Sequence, residues 1–413
     1  MPSQLLTINA DRLREDISKL AQIGRDKDHG LYRMAFSEGD MQGRHWFQSQ
    51  VNKAGLDFYE DGAANLHARL NWNANKPSVI TGSHLDTIPG AGHLDGALGV
   101  LAGLECLRRI KEENLSLSLP MEVIAFTDEE GRFGGMFGSQ AICGQLTPEK
   151  IYNAVDLEGN SIVEAMGRYG YDPNAALMAR RSPKSIQAFV EMHIEQGPVL
   201  DSNKISIGIV DGIVGLFKWN VTLKGSANHA GTTPMNMRQD ALQGLAEVAG
   251  QINRVLAEYG SPRSVATIGR VDLSPGAANV VPGQVDFSLE VRDVSAETLE
   301  MLADAFRRSI SAIARKQNLM FEFEVLSEIS PVKCDPGIIE TISGVVSDFE
   351  YESMTLPSGA AHDTQIMASI TRAGMVFVPS MGGKSHSPAE WTQWEDIERG
   401  ANVLLNTLYR LAK

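Results

Sequence analysis

The sequence predicts an α/β protein of two domains, in which a small α+β domain is inserted into a larger α/β domain. Its length of 413 residues exceeds what a single hydrophobic core usually organises. In the first half of the chain and again at its end, buried strands alternate with helices, as in a sheet that helices cover on both faces. From about Ile213 to Ser330 the order changes to strand-helix-strand-strand-helix-strand, which is typical of the ferredoxin-like fold. We therefore predict a larger domain of residues 1–212 and 330–413 and an inserted domain of residues 213–329.

The spacing of apolar residues indicates the helices and strands of the larger domain. Leu13, Ile17 and Leu20 recur at the spacing of one helix face, and an uninterrupted apolar run is typical of a buried strand. The predicted helices span residues 9–24, 37–53 and 96–111, with a last one starting at about Trp394. The predicted strands span residues 56–61, 65–70, 78–84, 121–127, 185–194 and 374–380.

The inserted domain is predicted from two long amphipathic segments that are flanked by alternating ones. The longer helix is expected to carry Pro234 in its first turn and to end at Gly260, following the preference for proline at helix starts and glycine at helix ends. The predicted helices span residues 234–260 and 295–317, and the predicted strands span residues 213–225, 264–273, 284–292 and 319–328.

Composition excludes several classes of function. The 37 basic and 51 acidic side chains give a net charge of −14, so the surface should repel nucleic acid and anionic membranes, although it is compatible with a small anionic substrate. The cysteines Cys106, Cys143 and Cys334 are odd in number and form no CxxC pair, which favours a reducing, cytoplasmic location without disulfides. The sequence shows no secretion signal and no apolar run of about 18 residues that could span a membrane.

Histidines and carboxylates follow several of the predicted strands. His84, the pair Glu129 and Glu130, His193 and His386 all stand at or shortly after such a strand, where ligands bind in open α/β sheets. Imidazole and carboxylate together suit zinc, manganese, cobalt or nickel better than calcium. Each residue also has an ordinary explanation, because loop histidines and solvated acids are common. By position alone, a metal site and a set of unrelated polar residues are both open.

Asp95 illustrates these two interpretations. It stands just before a predicted helix, where an aspartate commonly serves only as the N-cap. A glycine-rich loop, residues 90–92, separates it from the strand that ends at His84, and this loop could instead return Asp95 toward that histidine.

Five separated motifs then carry a family resemblance. In chain order they read GSHLDT, AGHLDG, FTDEEG, EMHIEQG and SHSPAE. Together they resemble the peptidase M20 metallohydrolases, and more narrowly the hydantoinase/carbamoylase branch with N-carbamoyl-L-amino acid hydrolases, β-ureidopropionases and allantoate amidohydrolases. The resemblance covers essentially the whole chain. It implies a zinc-exopeptidase-like catalytic domain and an inserted ferredoxin-like domain that serves as a lid and for dimerisation.

The resemblance implies a site for two divalent metal ions. Asp95 would bridge them, His84 and His193 would complete one ion, and Glu130 and His386 would complete the other. His193 marks the branch, since peptidase relatives usually carry a carboxylate there.

Further roles follow from the same resemblance. Glu129 would act as the general base, and Asp86 would hydrogen-bond His84 and fix its tautomer. His229 would donate to the oxyanion in the active site of the partner subunit, which implies a homodimer through the inserted domain. His93 in AGHLDG has no matching role; it is expected either behind the metal ligands or, preferably, on the surface.

The substrate-binding residues are also taken from the resemblance. Arg292 and Asn279 would hold the carboxylate of an amino acid, and a guanidinium can do so bidentately. Gln196 and the backbone of Gly359 and Ala360 would contact the substrate as well. His362 and Asp363 are expected behind them. Closure of the inserted domain about hinges at residues 207–215 and 327–332 would exclude water.

The expected function is hydrolysis of an N-carbamoyl-L-amino acid, a small anionic ureido compound, to the amino acid, carbon dioxide and ammonia. Allantoate amidohydrolase and β-ureidopropionase are close alternatives that use the same residues. An M20 aminopeptidase or deacylase is a more remote alternative, against which His193 argues. A non-catalytic relic of the fold is another, but such a protein would be expected to have lost Glu129 or a metal ligand.

Overall fold

The computed structural model describes residues 5–27 and 29–413, which form two compact units. The first unit comprises the chain up to Asp211 together with Cys334–Lys413, and the second comprises Gly212–Lys333. These limits lie close to the boundaries predicted at residues 213 and 329. Each unit has a hydrophobic core of its own.

The helices and strands are numbered along the whole chain. The α-helices are α1 (Ala10–Leu20), α2 (Glu38–Lys53), α3 (Ala97–Glu112), α4 (Phe137–Cys143), α5 (Pro148–Asn153), α6 (Ile162–Arg168), α7 (Val199–Asn203), α8 (Ala241–Tyr259), α9 (Ala296–Lys316), α10 (Pro336–Asp348), α11 (Asp363–Met367) and α12 (Trp394–Ala412). The strands are β1 (Arg25–Asp26), β2 (Gly30–Leu31), β3 (Asp57–Glu60), β4 (Leu66–Leu70), β5 (Ser78–His84), β6 (Met121–Phe126), β7 (Ile186–Ile194), β8 (Ile207–Ile213), β9 (Gly215–Lys224), β10 (Asn228–His229), β11 (Val265–Thr267), β12 (Val271–Ser274), β13 (Val280–Val281), β14 (Gln284–Asp293), β15 (Met320–Ile329), β16 (Val332–Lys333), β17 (Ser353–Ser358) and β18 (Ala373–Val378).

The first unit is built on one large mixed sheet. Its strands follow the order β3-β4-β6-β5-β7-β18-β8, and β17 also pairs with β8. The central strands β6, β5, β7 and β18 are mutually parallel, so their carboxyl ends meet at one edge. Successive residues of β5 pack into different cores, Val79 into one and Ile80 into another. Both faces of the central sheet are therefore covered, as the uninterrupted apolar runs predicted.

The second unit has the predicted strand-helix-strand-strand-helix-strand order. Its sheet follows the order β11-β14-β9-β15, so the first strand lies between the third and the fourth, and every pairing is antiparallel. Residues of β9 alternate between buried and half-buried positions, because one face of the sheet packs against α8 and α9.

Two details of the second unit differ from the sequence prediction. The single strand predicted at residues 264–273 is two short strands, β11 and β12, which both pair with β14. The long helix starts at Ala241, where Asp240 accepts hydrogen bonds from two backbone N–H groups as N-cap, and Pro234 precedes a separate short turn. The local N-cap of Asp240 outweighs the proline as a start signal.

The sequence analysis assigned no elements to residues 132–184. There the structure has α4, α5 and α6, which are too short to show a clear apolar period and which share a small core with residues such as Phe36 and Phe137. In the described part of the chain, every helix is too short or too polar to cross a membrane.

Candidate metal centre

The carboxyl ends of the parallel strands bring the predicted ligands together. The register pairs His84, the last residue of β5, with Phe126, the last residue of β6. On the other side, His193 of β7 pairs with Phe377 of β18. The segment 127–131 continues β6, so Glu129 and Glu130 lie at the same edge of the sheet as both histidines.

Asp95 lies at the centre of this edge. Its Oδ1 atom is 3.1 Å from His193 Nε2 and 3.5 Å from His84 Nε2. Its Oδ2 atom is 3.3 Å from His386 Nε2. Glu130 Oε2 is 3.5 Å from the same nitrogen of His386. The two oxygens of one buried carboxylate thus face two separate groups of side chains.

These contacts define two groups that could each hold a metal ion. Ligand atoms of His84, Asp95 and His193 all lie within 4.8 Å of one another, and so do those of Asp95, Glu130 and His386. We call the five residues, together with Glu129, the Asp95 cluster.

The charges of this cluster fit divalent cations. Among the residues that the structure describes, every ion-pair partner of Asp95, Glu129 and Glu130 is a histidine, and none is a lysine or arginine. The second oxygen of Glu130, Oε1, is buried without a hydrogen-bond partner. Because buried carboxylates are costly unless they are paired, this donor set of imidazole and carboxylate suits a bound transition-metal ion.

Backbone carbonyls orient two of the imidazoles. His84 Nδ1 lies 3.0 Å from the carbonyl oxygen of Asp86, and His193 Nδ1 lies 2.9 Å from that of Ile194. Each Nδ1–H donates to its carbonyl, so Nε2 is the ring nitrogen that faces Asp95. His193 Nε2 also lies 3.1 Å from the backbone nitrogen of Gly96. The neighbouring carboxylates raise the pKa of both imidazoles despite their burial, so a metal ion bound there would replace a proton on each Nε2.

The role predicted for the Asp86 side chain is wrong. Its carboxylate oxygen is 4.0 Å from His84 Nδ1, because the backbone carbonyl of Asp86 takes that position. The carboxylate accepts hydrogen bonds instead from the N–H of Glu129 at 3.4 Å and of Glu130 at 3.1 Å. Asp86 thus holds the segment that carries the proposed base and one proposed ligand.

Gly96 and Glu390 fix the backbone around Asp95. Gly96 has φ +62°, and a Cβ atom there would lie 2.3 Å from His84 Cε1, so only glycine allows this approach. Glu390 accepts hydrogen bonds from the N–H of Leu94 at 2.9 Å and of Asp95 at 3.1 Å. The sequence analysis assigned no role to Glu390, although it ends the SHSPAE motif between Ala389 and Trp391, where an acid is out of place among apolar neighbours.

The acids of the cluster differ in protonation. Burial raises the pKa of Glu129 well above its usual range, and the charges of Asp363 and Glu130 add to this while His84 opposes it. Burial, together with the charge of Asp95, raises the pKa of Glu130 to about 7. Burial also disfavours the charged form of Asp95, but the imidazoles outweigh it and lower its pKa well below the usual range. A buried carboxyl of raised pKa such as Glu129, 3.4 Å from His84 Nε2, suits proton transfer near neutral pH.

Other predicted residues of the first unit lie beside the cluster. Gln196 donates from its side-chain amide to Asp95 Oδ2 at 2.8 Å, while its Oε1 atom is buried without a hydrogen-bond partner. Gly359 and Ala360 lie in the loop between β17 and α11, where the backbone of Ala360 is hydrogen-bonded to Ser358 Oγ. His93 is half-buried against the ring of Trp391 rather than on the surface.

His229, Asn279 and Arg292 belong to the second unit. The exposed His229 pairs with Val280, and the carbonyl of Asn279 accepts a hydrogen bond from Ala230, so His229 and Asn279 are neighbours. His229 Nδ1 accepts from two backbone N–H groups at 3.1 and 3.2 Å, which places its proton on Nε2. Arg292 lies on β14, and its guanidinium donates to Glu290 at 2.8 and 2.9 Å.

The chain is similar to known proteins over its full length. Residues 72–410 match the model of peptidase family M20/M25/M40. The chain is 39% identical over 410 residues to the N-carbamoyl-L-amino acid amidohydrolase of Geobacillus stearothermophilus, which covers 98% of this chain and 99% of that protein. It is 34% identical over 412 residues to the allantoate amidohydrolase of Escherichia coli, with 99% of each chain covered.

A solved structure agrees with this similarity. The crystal structure of an amidase of the hydantoinase/carbamoylase family from Burkholderia multivorans has a TM-score of 0.92 and 33% identity, and 98% of each chain is covered. The chain therefore belongs to the peptidase M20/M25/M40 family, within the hydantoinase/carbamoylase branch of these hydrolases.

Proposed function

We propose that the protein hydrolyses the ureido C–N bond of N-carbamoyl-L-amino acids with the help of two divalent metal ions. The observation that carries this proposal is the Asp95 carboxylate, whose two oxygens face different imidazoles at 3.1 and 3.3 Å. Three similar proteins, at 39, 36 and 34% identity, are named N-carbamoyl-L-amino acid amidohydrolases, which supports the choice of substrate.

Asp95 would bind both ions, with His84 and His193 on the first and Glu130 and His386 on the second. Divalent cations bound there would lower the pKa of water from about 15.7 toward 7 and polarise the ureido carbonyl. Zinc, manganese, cobalt and nickel all suit these ligands.

Glu129 would be the general base and then the general acid. Its carboxylate takes a proton from the attacking water as the water oxygen bonds to the carbonyl carbon. It then returns that proton to the nitrogen of the amino acid as the C–N bond breaks. The products are the free amino acid and carbamate, which decomposes to carbon dioxide and ammonia. The burial and raised pKa of Glu129 support this role.

His229 would stabilise the oxyanion that forms during the attack. Its Nδ1 is occupied by two backbone donors, so the Nε2–H is directed away from the local backbone and can donate to an oxygen. We propose that it serves the active site of a second copy of the chain, so that the active enzyme is a homodimer.

Arg292 and Asn279 would hold the substrate carboxylate, and Gln196, Gly359 and Ala360 would contact the rest of the substrate. The hydrogen bonds between Arg292 and Glu290 fix the guanidinium and reduce the entropy lost on binding. Arg292→Ala should therefore raise KM while leaving the metal content unchanged. Unaltered kinetics of this variant would remove Arg292 from the proposal.

An ammonia-release assay on the metal-loaded protein tests the function. It should compare N-carbamoyl-L-amino acids, N-carbamoyl-β-alanine and allantoate, each with a chelator-treated control and with Glu129→Gln. We expect the fastest release from an N-carbamoyl-L-amino acid, and its loss in both controls. If none of the three compounds releases ammonia in a metal-dependent way, the proposal fails.

Allantoate is the second candidate substrate. The similarity to the E. coli allantoate amidohydrolase favours it, since that protein is 34% identical over 99% of both chains. Faster release from allantoate than from any N-carbamoyl-L-amino acid would select this alternative.

A further inference from the structure

Glu191 is a buried carboxylate to which no role has been assigned so far. It lies on β7 two residues before His193 and is fully buried. Residues two apart on a strand point to the same face, so Glu191 and His193 share the face that is directed to the metal centre. Within residues 5–27 and 29–413, no basic side chain forms an ion pair with Glu191; its charge is met by hydroxyl and backbone donors.

The two oxygens of Glu191 bind two different segments of the chain. Oε1 accepts a hydrogen bond from Ser83 Oγ at 2.7 Å, and Ser83 immediately precedes His84. Oε2 accepts from the backbone N–H of Thr364 at 3.0 Å and from its Oγ1 at 2.6 Å. One carboxylate on β7 therefore joins the end of β5 to the start of α11.

Thr364 directly follows the loop that is proposed to contact the substrate. In this loop Ser358 Oγ lies 2.9 Å from His362 Nε2 and is hydrogen-bonded to both backbone groups of Ala360. The ring of His362 packs edge-on against His193, with centroids 4.5 Å apart. Ser358 and His362 thus fix Ala360, and Thr364, two residues after His362, ties the end of the same loop to Glu191.

We infer that Glu191 is a positioning residue that holds both the metal ligand His84 and the substrate loop through separate hydrogen bonds to Ser83 and Thr364. This inference rests on the proposed function. A buried carboxylate that loses a donor becomes poorly solvated, so each hydrogen bond resists displacement of its segment. Groups that orient metal ligands in this way typically change metal affinity by about tenfold or more when removed.

Two substitutions separately remove the hydrogen bonds that the hydroxyl groups of Ser83 and Thr364 donate to Glu191. Ser83→Ala should weaken binding of Co²⁺, measured by its visible absorption on the chelator-treated protein, by about tenfold. At saturating Co²⁺ its KM for an N-carbamoyl-L-amino acid should stay within about twofold of the wild type. Thr364→Val should show the reverse, with KM raised about tenfold and Co²⁺ affinity unchanged, because only the substrate loop is released.

Glu191→Gln distinguishes hydrogen bonding from charge. In one orientation a glutamine accepts from Thr364 and donates to Ser83 Oγ, so it keeps the positions of both segments without the negative charge. We expect the Co²⁺ affinity and the KM of this variant to stay within about threefold of the wild type. Glu191→Ala should both weaken Co²⁺ binding and raise KM. If Glu191→Gln is as damaging as Glu191→Ala, the positioning role is overturned.

Matched controls come from α10, where Ser343 Oγ and Thr341 Oγ1 each bond a backbone carbonyl of the same helix. Ser343→Ala and Thr341→Val should change neither the Co²⁺ affinity nor the KM.

Hydrogen exchange of residues 358–364 adds a readout that needs no activity: Thr364→Val should accelerate it, and Ser83→Ala should not. Equal effects of Ser83→Ala and Thr364→Val on all readouts would overturn the inference. A wild-type protein that binds Co²⁺ but releases no ammonia would contradict the proposed function alone. The positioning role of Glu191 would still be tested by hydrogen exchange.

Discussion

Two clusters of histidine and carboxylate lie at opposite ends of the large sheet, and their charges are balanced in different ways. The Asp95 cluster lies beyond the carboxyl ends of β5 and β6. Near the beginning of these strands lies a second cluster around Glu122 of β6, which is fully buried. We call this second group the Glu122 cluster, and its members are Asp61, His67, Arg69, Glu122 and Arg181.

The Glu122 cluster contains its own cations. Glu122 Oε1 is 2.8 Å from both Arg69 Nε and His67 Nδ1, and Glu122 Oε2 is 2.5 Å from Arg181 Nη1. Burial alone would raise the pKa of Glu122, but these neighbours outweigh it and hold the pKa well below its usual range. Seven residues further along the chain, the ion-pair partner of Glu129 within the described residues is His84 and not an arginine, and the pKa of Glu129 is raised.

This difference separates a structural site from a proposed functional one. A buried charge needs an opposite charge close by, and guanidinium groups supply it at Glu122. At the Asp95 cluster the described residues supply only imidazoles, which can bind a metal ion or a proton. We propose that the carboxyl end of the sheet binds cations from solution, whereas at the opposite end the described arginines already balance the buried charge.

The largest expected effect comes from Glu129→Gln. Removal of the proposed proton acceptor should lower kcat by about 10³-fold, within the range of general acid–base catalysis. The metal content, measured by elemental analysis, should not change, because Glu129 is not a proposed ligand. The unfolding temperature should be equal to that of the wild type or higher, since an unpaired buried acid is removed.

Glu340→Gln, on the exposed side of α10, is the control for this substitution and should leave kcat unchanged. A Glu129→Gln variant with more than about a tenth of the wild-type kcat would show that another group transfers the proton.

The sequence predicted the Asp95 cluster better than the Glu122 cluster, for a physical reason. Apolar runs indicate where the strands end and so place His84, His193 and Glu130 at one edge of the sheet, but by position alone a metal site stays open, and the proposed roles as ligands come from the family resemblance. The hydrogen bond that the N–H of Leu94 donates to Glu390 crosses 296 residues, and no local pattern indicates it. The Glu122 cluster depends on tertiary packing throughout, because Arg181 reaches Glu122 from a segment without predicted elements.

Asp86 shows a second limit of sequence-based prediction. Its distance from His84 along the chain was sufficient to expect a contact, and a contact exists. Whether the backbone carbonyl or the carboxylate makes it depends on the local backbone torsion, which the spacing of residues does not determine.

Glu122→Gln should mainly affect stability. Breaking a buried ion pair leaves Arg69 and Arg181 with uncompensated charge and should reduce the free energy of unfolding by about 3 kcal/mol. The kcat of the folded protein and its metal affinity should be those of the wild type. Urea unfolding followed by circular dichroism measures the free energy of unfolding, and the ammonia assay measures kcat. A loss of metal binding in this variant would mean that the two ends of the sheet are coupled.

Metal removal should affect the first unit through the Asp95 cluster alone. At a free metal concentration about 100 times the dissociation constant, binding to the folded state adds about 2.7 kcal/mol to the free energy of unfolding. Chelation should remove this increment from the wild type and from Glu122→Gln, as measured by urea unfolding with and without Mn²⁺. Asp95→Asn should show no increment. A metal-dependent increment that survives in Asp95→Asn would place the ion elsewhere.

The smallest expected effect is the pH dependence of the Glu122 cluster. Burial lowers the pKa of His67, but its hydrogen bonds to Asp61 and Glu122 outweigh burial and raise the pKa above the usual value of 6.5. A raised pKa means that the folded state binds the proton more tightly, so the contribution of His67 to stability is complete below pH 6.5 and is lost as the pH rises through its pKa in the folded protein. The difference in unfolding free energy between the wild type and His67→Gln should therefore decrease from pH 6 to pH 9. Because both proteins contain the Asp95 cluster, in which the pKa of His386 is raised to about 9, the effect of its titration on stability cancels in this difference. A difference that stays constant over this range would show that folding does not shift the pKa of His67, and a difference that increases would show that His67 is neutral in the folded protein.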